Sequence, residues 1–220
     1  EEFGVGEIEA DAGYAAGLTH HQFKTQGPDE AEIDEAVGSL RESKRPVSYA
    51  GCGTRGHGQA VQELSRKIKA PLITTGKNFE TFDWDFEALL GSTFRVGWKP
   101  ANEAILEADT VLFIGSNFPF AEVERTFRNV KHFIQIDNNP GMLGKRHQAD
   151  VTILADAGLS VTALLEKTTA IEQSAWWDAN LENVKNWREY MDHLEKKTQG
   201  DLQFYQVYHA INTFADNDAI

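Results

Sequence analysis

The sequence predicts an α/β fold: a doubly wound, mostly parallel sheet with helices on both faces, followed by a C-terminal helical extension. Three observations carry this expectation. Short apolar runs at 47–50, 72–74, 111–114, 132–136 and 151–154 read as buried strands. Helical patterns follow most of them, so strand and helix alternate five times, as parallel pairing requires. The turns at Gly51, Thr74, Gly115, Asp137 and Asp156 all stand at strand carboxyl ends and can line one crevice, where ligands bind on such sheets.

The elements follow in order. Residues 1–27 have no steady period and carry Gly4, Gly6, Gly13, Gly17 and Gly27; they read as a linker or docking arm. The chain starts at Glu1 without methionine, which reads as a fragment. His20-His21 lacks partners at metal-ligand spacing, so no metal site is expected. Residues 28–43 form a helix: Pro28 suits its first turn, Asp29, Glu30 and Glu32 favour its positive end, and Ile33, Val37 and Leu40 share one face. Strand 47–50 runs into Gly51-x-Gly53-x-x-Gly56 and then helix 58–69, with Val61, Leu64 and Ile68 inward. Strand, glycine turn and helix together place backbone N–H groups and a helix N-terminus against a phosphate. In this reading the first glycine permits the turn and the second lets the backbone approach the ligand. Cys52, inside the turn, is read as a small residue that fits a crowded bend.

After strand 72–74, residues 78–96 are expected to be a long irregular loop dense in aromatics, packed by its own rings or walling a flat ring system. Helix 100–108 and strand 111–114 follow, ending in a second glycine turn at Gly115-Ser116-Asn117. Helix 121–129, with Val123 and Phe127 inward, leads to strand 132–136 and the turn Asp137-Asn-Asn-Pro140. Strand 151–154 and helix 158–167 complete the central domain, 28–167. Residues 168–220 differ. Trp177, Leu181, Val184, Trp187, Met191 and Leu194 mark an amphipathic helix whose Lys185, Arg188, Lys196 and Lys197 are read as solvated, and a second helix is expected to bury Phe204, Val207, Ile211 and Phe214. Residues 219–220 look like a strand beginning, so this region reads as a helical linker and the start of a truncated third domain.

Composition bounds the function. The formal net charge is −13, and residues 1–40 hold ten acidic side chains against one basic. No basic stripe is present, which argues against a nucleic-acid partner. No apolar run spans a bilayer, no signal peptide is visible, and Cys52 is the only cysteine, so a cytoplasmic setting is expected. The ligand is a nucleotide in this reading, with Asp137 accepting from the adenosine ribose. An NAD site would place an acid after the second strand, but Thr74, Thr75 and Gly76 stand there, which weakens that choice. ADP could use the same Asp137 and Asp156.

Four stretches carry a resemblance. Gly97-Trp-Lys-Pro-Ala-Asn-Glu103, Val111-Leu-Phe-Ile-Gly-Ser-Asn-Phe-Pro-Phe-Ala-Glu-Val123, Phe133-Ile-Gln-Ile-Asp137 and Leu143-Gly-Lys-Arg-His147 resemble the pyruvate oxidases of lactic acid bacteria. These are thiamine-diphosphate enzymes of three α/β domains. The likeness runs from about residue 14 to the end and implies the Rossmann-like central domain, which binds FAD in that family. By position, it implies that Gly51, Gly53, Thr54 and Arg55 meet the pyrophosphate, and that Thr74, Thr75, Gly76 and Lys77 lie along the ribityl and phosphates. Gly91, Ser92, Thr93, Arg95 and Val96 would approach the flavin, and Ser116, Asn117 and Phe118 would flank the middle of the cofactor. Asp137, Asn138, Asp156 and Ala157 would hold the adenosine. The resemblance further implies that the whole enzyme oxidatively decarboxylates pyruvate with phosphate and oxygen, giving acetyl phosphate, carbon dioxide and hydrogen peroxide. Thiamine diphosphate and Mg²⁺ would be bound by the other domains of the chain, in a homotetramer. The chain has no Gly-Asp-Gly motif for thiamine diphosphate, and catalytic residues and metal ligands are not expected within it, so it is expected to be inactive alone. A flavin-free scaffold, as in related decarboxylases, is the rival reading; Thr93, Arg95 and Ser116-Asn117-Phe118 are the features a scaffold would not need.

Overall fold

A computed structural model describes residues 25–117, 126–197 and 200–216. The expected arm falls largely on residues 1–24, and these, with His20-His21, lie outside the described residues. Six parallel strands form one sheet: β1 (Pro46–Ala50), β2 (Leu72–Thr74), β3 (Leu89–Gly91), β4 (Thr110–Ile114), β5 (His132–Asp137) and β6 (Val151–Leu154). Their order is β3-β2-β1-β4-β5-β6. The chain works outward from β1 to β3, then returns to the other side of β1, so the order reverses between β1 and β4. The two are paired over their full length, from Pro46↔Thr110 to Ala50↔Ile114.

The helices are α1 (Glu30–Glu42), α2 (Gly58–Ile68), α3 (Lys99–Glu107), α4 (Ala157–Lys167), α5 (Ala175–Glu195) and α6 (Phe204–Phe214). Strand residues alternate between two cores. Ala50, Leu72, Leu112, Ile114, Ile134 and Ile136 meet Ile33 and Val37 of α1, Val61, Leu64 and Ile68 of α2, and Val161 and Leu164 of α4. Val47, Tyr49, Ile73, Val111, Phe113 and Phe133 face the other way, onto Ala101, Ala104 and Ile105 of α3 and Val184 of α5. Burial on both faces is why β2, β3 and β4 read as largely apolar runs, whereas β6, at the edge, exposes Thr152.

Several expectations need correction. Pro28 is not in the first helical turn: Asp29 is the N-cap, its carboxylate accepting from the Ala31 N–H at 2.8 Å, and α1 starts at Glu30. The stretch 78–96 is not an irregular loop throughout, because β3 lies inside it as an edge strand on β2. The crossover from β2 to β3 contains only one helical turn, Phe79–Thr81, and is filled by buried Phe82 and Phe86. No helix separates β5 from β6 either, so the expected alternation is broken twice. Most of helix 121–129 lies outside the described residues; Thr126 is helical, 127–129 form a turn, and Phe127 is buried as expected.

Beyond the sheet, α5 packs on the central domain. Trp177 is buried among the α1–α2–α4 side chains, Val184 joins the opposite core, and the Trp176 indole N–H donates to the Pro46 carbonyl at 2.9 Å. The face of α6 expected to be buried is not. Phe204 and Phe214 are 83% and 93% exposed, and Val207 and Ile211 are also exposed.

Candidate functional site: the carboxyl edge at the strand reversal

The glycine turn after β1 and the turn after β4 interlock. The Gly51 N–H donates to the Ile114 carbonyl and the Gly53 N–H to the Gly115 carbonyl, both at 2.9 Å. A Cβ on Gly51 would lie 2.5 Å from the Gly115 oxygen, and one on Gly53 would lie 2.8 Å from the Gly115 Cα. Gly115 itself has φ +53°, in the left-handed region that favours glycine. The sequence reading gave the second glycine a ligand-facing role; the space its missing Cβ leaves is filled by the neighbouring turn. The glycines thus bring two backbone turns together at the reversal point of the sheet.

Two residues brace the first turn from inside. Thr54 is fully buried, and its hydroxyl donates to the Gly51 carbonyl at 2.7 Å. The Asn78 amide donates to the same carbonyl at 2.9 Å and to Thr54 Oγ1 at 3.0 Å, while its own oxygen accepts from the Thr81 hydroxyl at 2.8 Å. Arg55 points outward, its guanidinium bonded to the Lys77 carbonyl and the Glu80 carboxylate, both at 2.7 Å. This ties the β1 turn to the β2 turn. Thr74 is buried against the Ala50 carbonyl, and the Thr75 N–H donates to that carbonyl at 3.2 Å. Gly76 and Lys77 are exposed, and nothing lies within 4 Å of where a Gly76 Cβ would be.

At the β3 end, Gly91 has φ +90°, and the Trp98 ring fills the place of its Cβ. Ser92 and Thr93 are buried. The Thr93 hydroxyl is 3.0 Å from that of Tyr49, a buried β1 side chain stacked on Phe113. Burial pushes the Tyr49 phenol up, against the hydrogen bond with Thr93 that lowers it, so it stays protonated at neutral pH. Phe94 through Val96 form one tight turn with Arg95 exposed. Phe79, Trp84 and Trp98 gather beside it, with Trp84 and Trp98 edge-to-face at 5.1 Å.

On the far side, Ser116 is buried and Asn117 exposed; Phe118 lies outside the described residues. A small cleft beside Ser116 is lined by Phe113, Gln135, Arg146 and His147. Gln135 holds the loop behind it, accepting from the Gly144 N–H at 2.8 Å and donating to the Met142 carbonyl at 2.9 Å. Asp137, at the end of β5, accepts from the Asn139 N–H at 2.8 Å. Burial raises its carboxyl above the usual range, and that one backbone bond opposes the rise only in part. Asp156 caps α4, accepting from the Leu159 N–H at 3.0 Å, and its own N–H donates to the Gln26 carbonyl at 2.8 Å. Ala157 is buried and Asn138 exposed.

The turns of β1, β2, β4, β5 and β6, with the loop after β3, therefore share one edge of the sheet. Buried hydroxyls without a hydrogen-bond partner are Ser48, Thr75, Thr110 and Ser116 among the described residues. Ser48 and Thr110 sit within strands, whereas Thr75 and Ser116 stand on this edge, on either side of the glycine interlock. Buried hydroxyls are as a rule hydrogen-bonded, so these two set this edge apart from the rest of the core. No cluster of three or more His, Cys, Asp or Glu side chains is arranged for a metal ion, and no helix is long and apolar enough to cross a membrane, among the described residues.

Sequence reasoning passed over Asn78, Tyr49, Asn102 and Gln135. Asn78 and Tyr49 act on segments remote in the chain, Asn102 and Gln135 on loops seven to nine residues away, and only Asn78, directly after Gly76-Lys77, stood where a turn signal could have drawn attention to it.

Comparison with known proteins agrees with this fold. The chain is 42% identical to a pyruvate oxidase of Lactiplantibacillus plantarum over 214 residues, 97% of this chain and 36% of the relative. It is 30% identical to an acetolactate synthase large subunit of Corynebacterium glutamicum over 77% of this chain and 27% of the relative. It is 26% identical to another acetolactate synthase large subunit, of Parasynechococcus marenigrum, over 88% of this chain and 32% of the relative. The chain spans about a third of the length of these curated relatives. Residues 33–164 match the family described as thiamine pyrophosphate enzyme, central domain, and the chain belongs to that family.

Proposed function

We propose that this chain is the FAD-binding central domain of a pyruvate oxidase. The observation that carries the reading is the 42% identity to a pyruvate oxidase, which extends over 97% of the chain. The geometry supports it with a nucleotide crevice at the strand reversal, two unpaired buried hydroxyls and two carboxylates at its far end.

In this reading the cofactor lies across the carboxyl edge. The backbone of 51–55 and 74–77 meets the pyrophosphate and ribityl, with Arg55 and Lys77 supplying positive charge. Thr75 and Ser116 give their unused hydroxyls to its polar middle. Asp137 and Asn138, with Asp156 and Ala157, hold the adenosine. The raised Asp137 carboxyl regains what burial cost it by accepting from ribose hydroxyls. The loop 91–96 turns Arg95 toward the flavin end, and the Phe79–Trp84–Trp98 group walls it. When bound, FAD supplies the electron acceptor that links pyruvate decarboxylation to oxygen reduction; the protein contributes binding and orientation.

The whole enzyme would convert pyruvate, phosphate and oxygen to acetyl phosphate, carbon dioxide and hydrogen peroxide. Thiamine diphosphate and Mg²⁺ would be held by further domains of the same polypeptide, in a cytoplasmic homo-oligomer. The 220-residue chain has no Gly-Asp-Gly and turns over no pyruvate by itself in this reading.

The test is a titration of the purified chain with FAD, followed by flavin fluorescence. Saturable binding that weakens in Asp137→Ala is expected. A folded chain that does not bind FAD, alone or within the longer enzyme, would sink the reading in favour of a flavin-free scaffold.

A further inference from the structure

Phe94 has φ +68°. A bulky aromatic residue in the left-handed region is a genuine outlier and persists only where its surroundings over-determine it. One side chain does so here. The Phe94 N–H donates to the Asn102 Oδ1 at 2.6 Å, and the Asn102 amide donates back to the Phe94 carbonyl at 3.4 Å. Asn102 is in the first turns of α3, so the clamp is anchored on a regular helix.

The rest of the loop leaves little slack. The Gly97 N–H donates to the Phe94 carbonyl and the Trp98 N–H to the Ser92 carbonyl, both at 2.9 Å. A Cβ on Gly97 would lie 2.5 Å from the Thr93 carbonyl carbon. Thr93 is pinned to the sheet through Tyr49. The residue that follows the clamped position is Arg95, exposed and without an ion-pair partner among the described residues.

We infer that Asn102 is a positioning residue: by holding Phe94 left-handed it sets the direction in which Arg95 leaves the loop, toward the cofactor at the carboxyl edge. The inference rests on the FAD reading above and deepens it. Arg95 touches the ligand; Asn102 acts through it. Releasing the clamp lets Phe94 relax to negative φ, swings Arg95 away and weakens FAD binding without opening the core.

A rescue isolates this role from simple packing. Glycine adopts the left-handed conformation without strain, so Phe94→Gly removes the need for the clamp. The chain is compared as wild type, Asn102→Ala, Phe94→Gly, Asn102→Ala/Phe94→Gly and Arg95→Ala. The readouts are the Kd for FAD and hydrogen exchange at the residue-94 amide, the latter without cofactor. Asn102→Ala is expected to weaken FAD about tenfold and to speed exchange at Phe94. The Asn102→Ala/Phe94→Gly variant is expected to recover wild-type affinity, and a further variant, Asn102→Ala/Arg95→Ala, to bind no more weakly than Arg95→Ala alone. Saturable wild-type binding that Asn102→Ala leaves unchanged overturns the inference alone. Where Phe94→Gly alone binds as wild type, weakened binding in Asn102→Ala that Phe94→Gly fails to restore also overturns it, since a packing role for Asn102 predicts that result. A wild-type chain with no saturable FAD binding overturns the cofactor reading, and with it the ligand assigned to Arg95.

Discussion

Replacing Asp109 by asparagine is expected to destabilise the domain without touching its crevice. Asp109 is 8% exposed at the amino-terminal edge of the sheet, just before β4. One carboxylate oxygen accepts from the Ser43 hydroxyl at 2.8 Å and the Arg45 N–H at 2.9 Å; the other accepts from the Lys44 N–H at 3.1 Å. Its main-chain carbonyl also accepts from the Lys131 and His132 N–H groups, so this one residue joins the starts of β1, β4 and β5. An amide has one acceptor oxygen, and either orientation turns its NH₂ against a backbone N–H. One buried donor loses its partner, at about 1–3 kcal/mol, and the bonds that remain lose their charge assistance. The total is about 3 kcal/mol, or roughly a 6–12 °C fall in Tm for a domain of this size.

The pH dependence gives a second, sharper reading. Burial alone would raise the Asp109 carboxyl, but the bonds from Arg45, Ser43 and Lys44 outweigh it and hold the carboxyl below its usual range. A depressed carboxylate contributes stability above its unfolded pKa, and that stability is lost as pH falls through the folded value. The gap between wild type and Asp109→Asn should therefore be constant from neutral pH to about pH 5 and narrow below about pH 4. Urea unfolding at a series of pH values measures it. A gap under about 0.5 kcal/mol at pH 7, or one that does not narrow in acid, would refute the reasoning.

Other perturbations probe the site and its frame. Gly51→Ala drives a Cβ to 2.5 Å from the Gly115 oxygen and should cost about 3 kcal/mol, while Gly76→Ala, with open space around it, should stay within about 0.5 kcal/mol; thermal melts compare them. Asp137→Asn should stabilise the cofactor-free chain, because a carboxyl raised by burial favours the protonated, low-pH form and loses stability as pH rises through its folded value. That gain should grow with pH in urea titrations, while FAD affinity falls about tenfold, as loss of a ribose acceptor implies. Trp177→Ala removes the anchor of α5 from the core and should cost about 3–5 kcal/mol; a cost under about 1 kcal/mol would mean that α5 is not part of the folded unit.

Much of this architecture was legible in the sequence because both faces of a parallel sheet are covered. Val111–Ile114 and the run before Gly51 read as interior strands, and the turns after them named the edge that forms the candidate site. β3 escaped because its Leu89-Leu90-Gly91 is too short to show a period and sits among aromatic loop residues. The face of α6 was visible as a helical pattern, but periodicity specifies an apolar stripe and not what covers it. Within the site, the turn residues and Asp137 could be picked out by residue type. The bracing of Gly51 by Asn78 could not, since it joins segments whose proximity only the fold creates, nor could that of Phe94 by Asn102, since it depends on a left-handed backbone that residue type does not announce.

The interlock of Gly51 and Gly53 with Gly115 has a consequence for how such a domain can diversify. Two turns that meet backbone to backbone cannot be lengthened or given side chains one at a time. The middle of the crevice is therefore frozen, while the flanking turns present exposed side chains, Lys77, Arg95, Asn138 and Asn139, that can change singly. A drift in ligand preference would begin at those margins. A library meant to retarget the crevice should place its variation there and leave the central glycines alone.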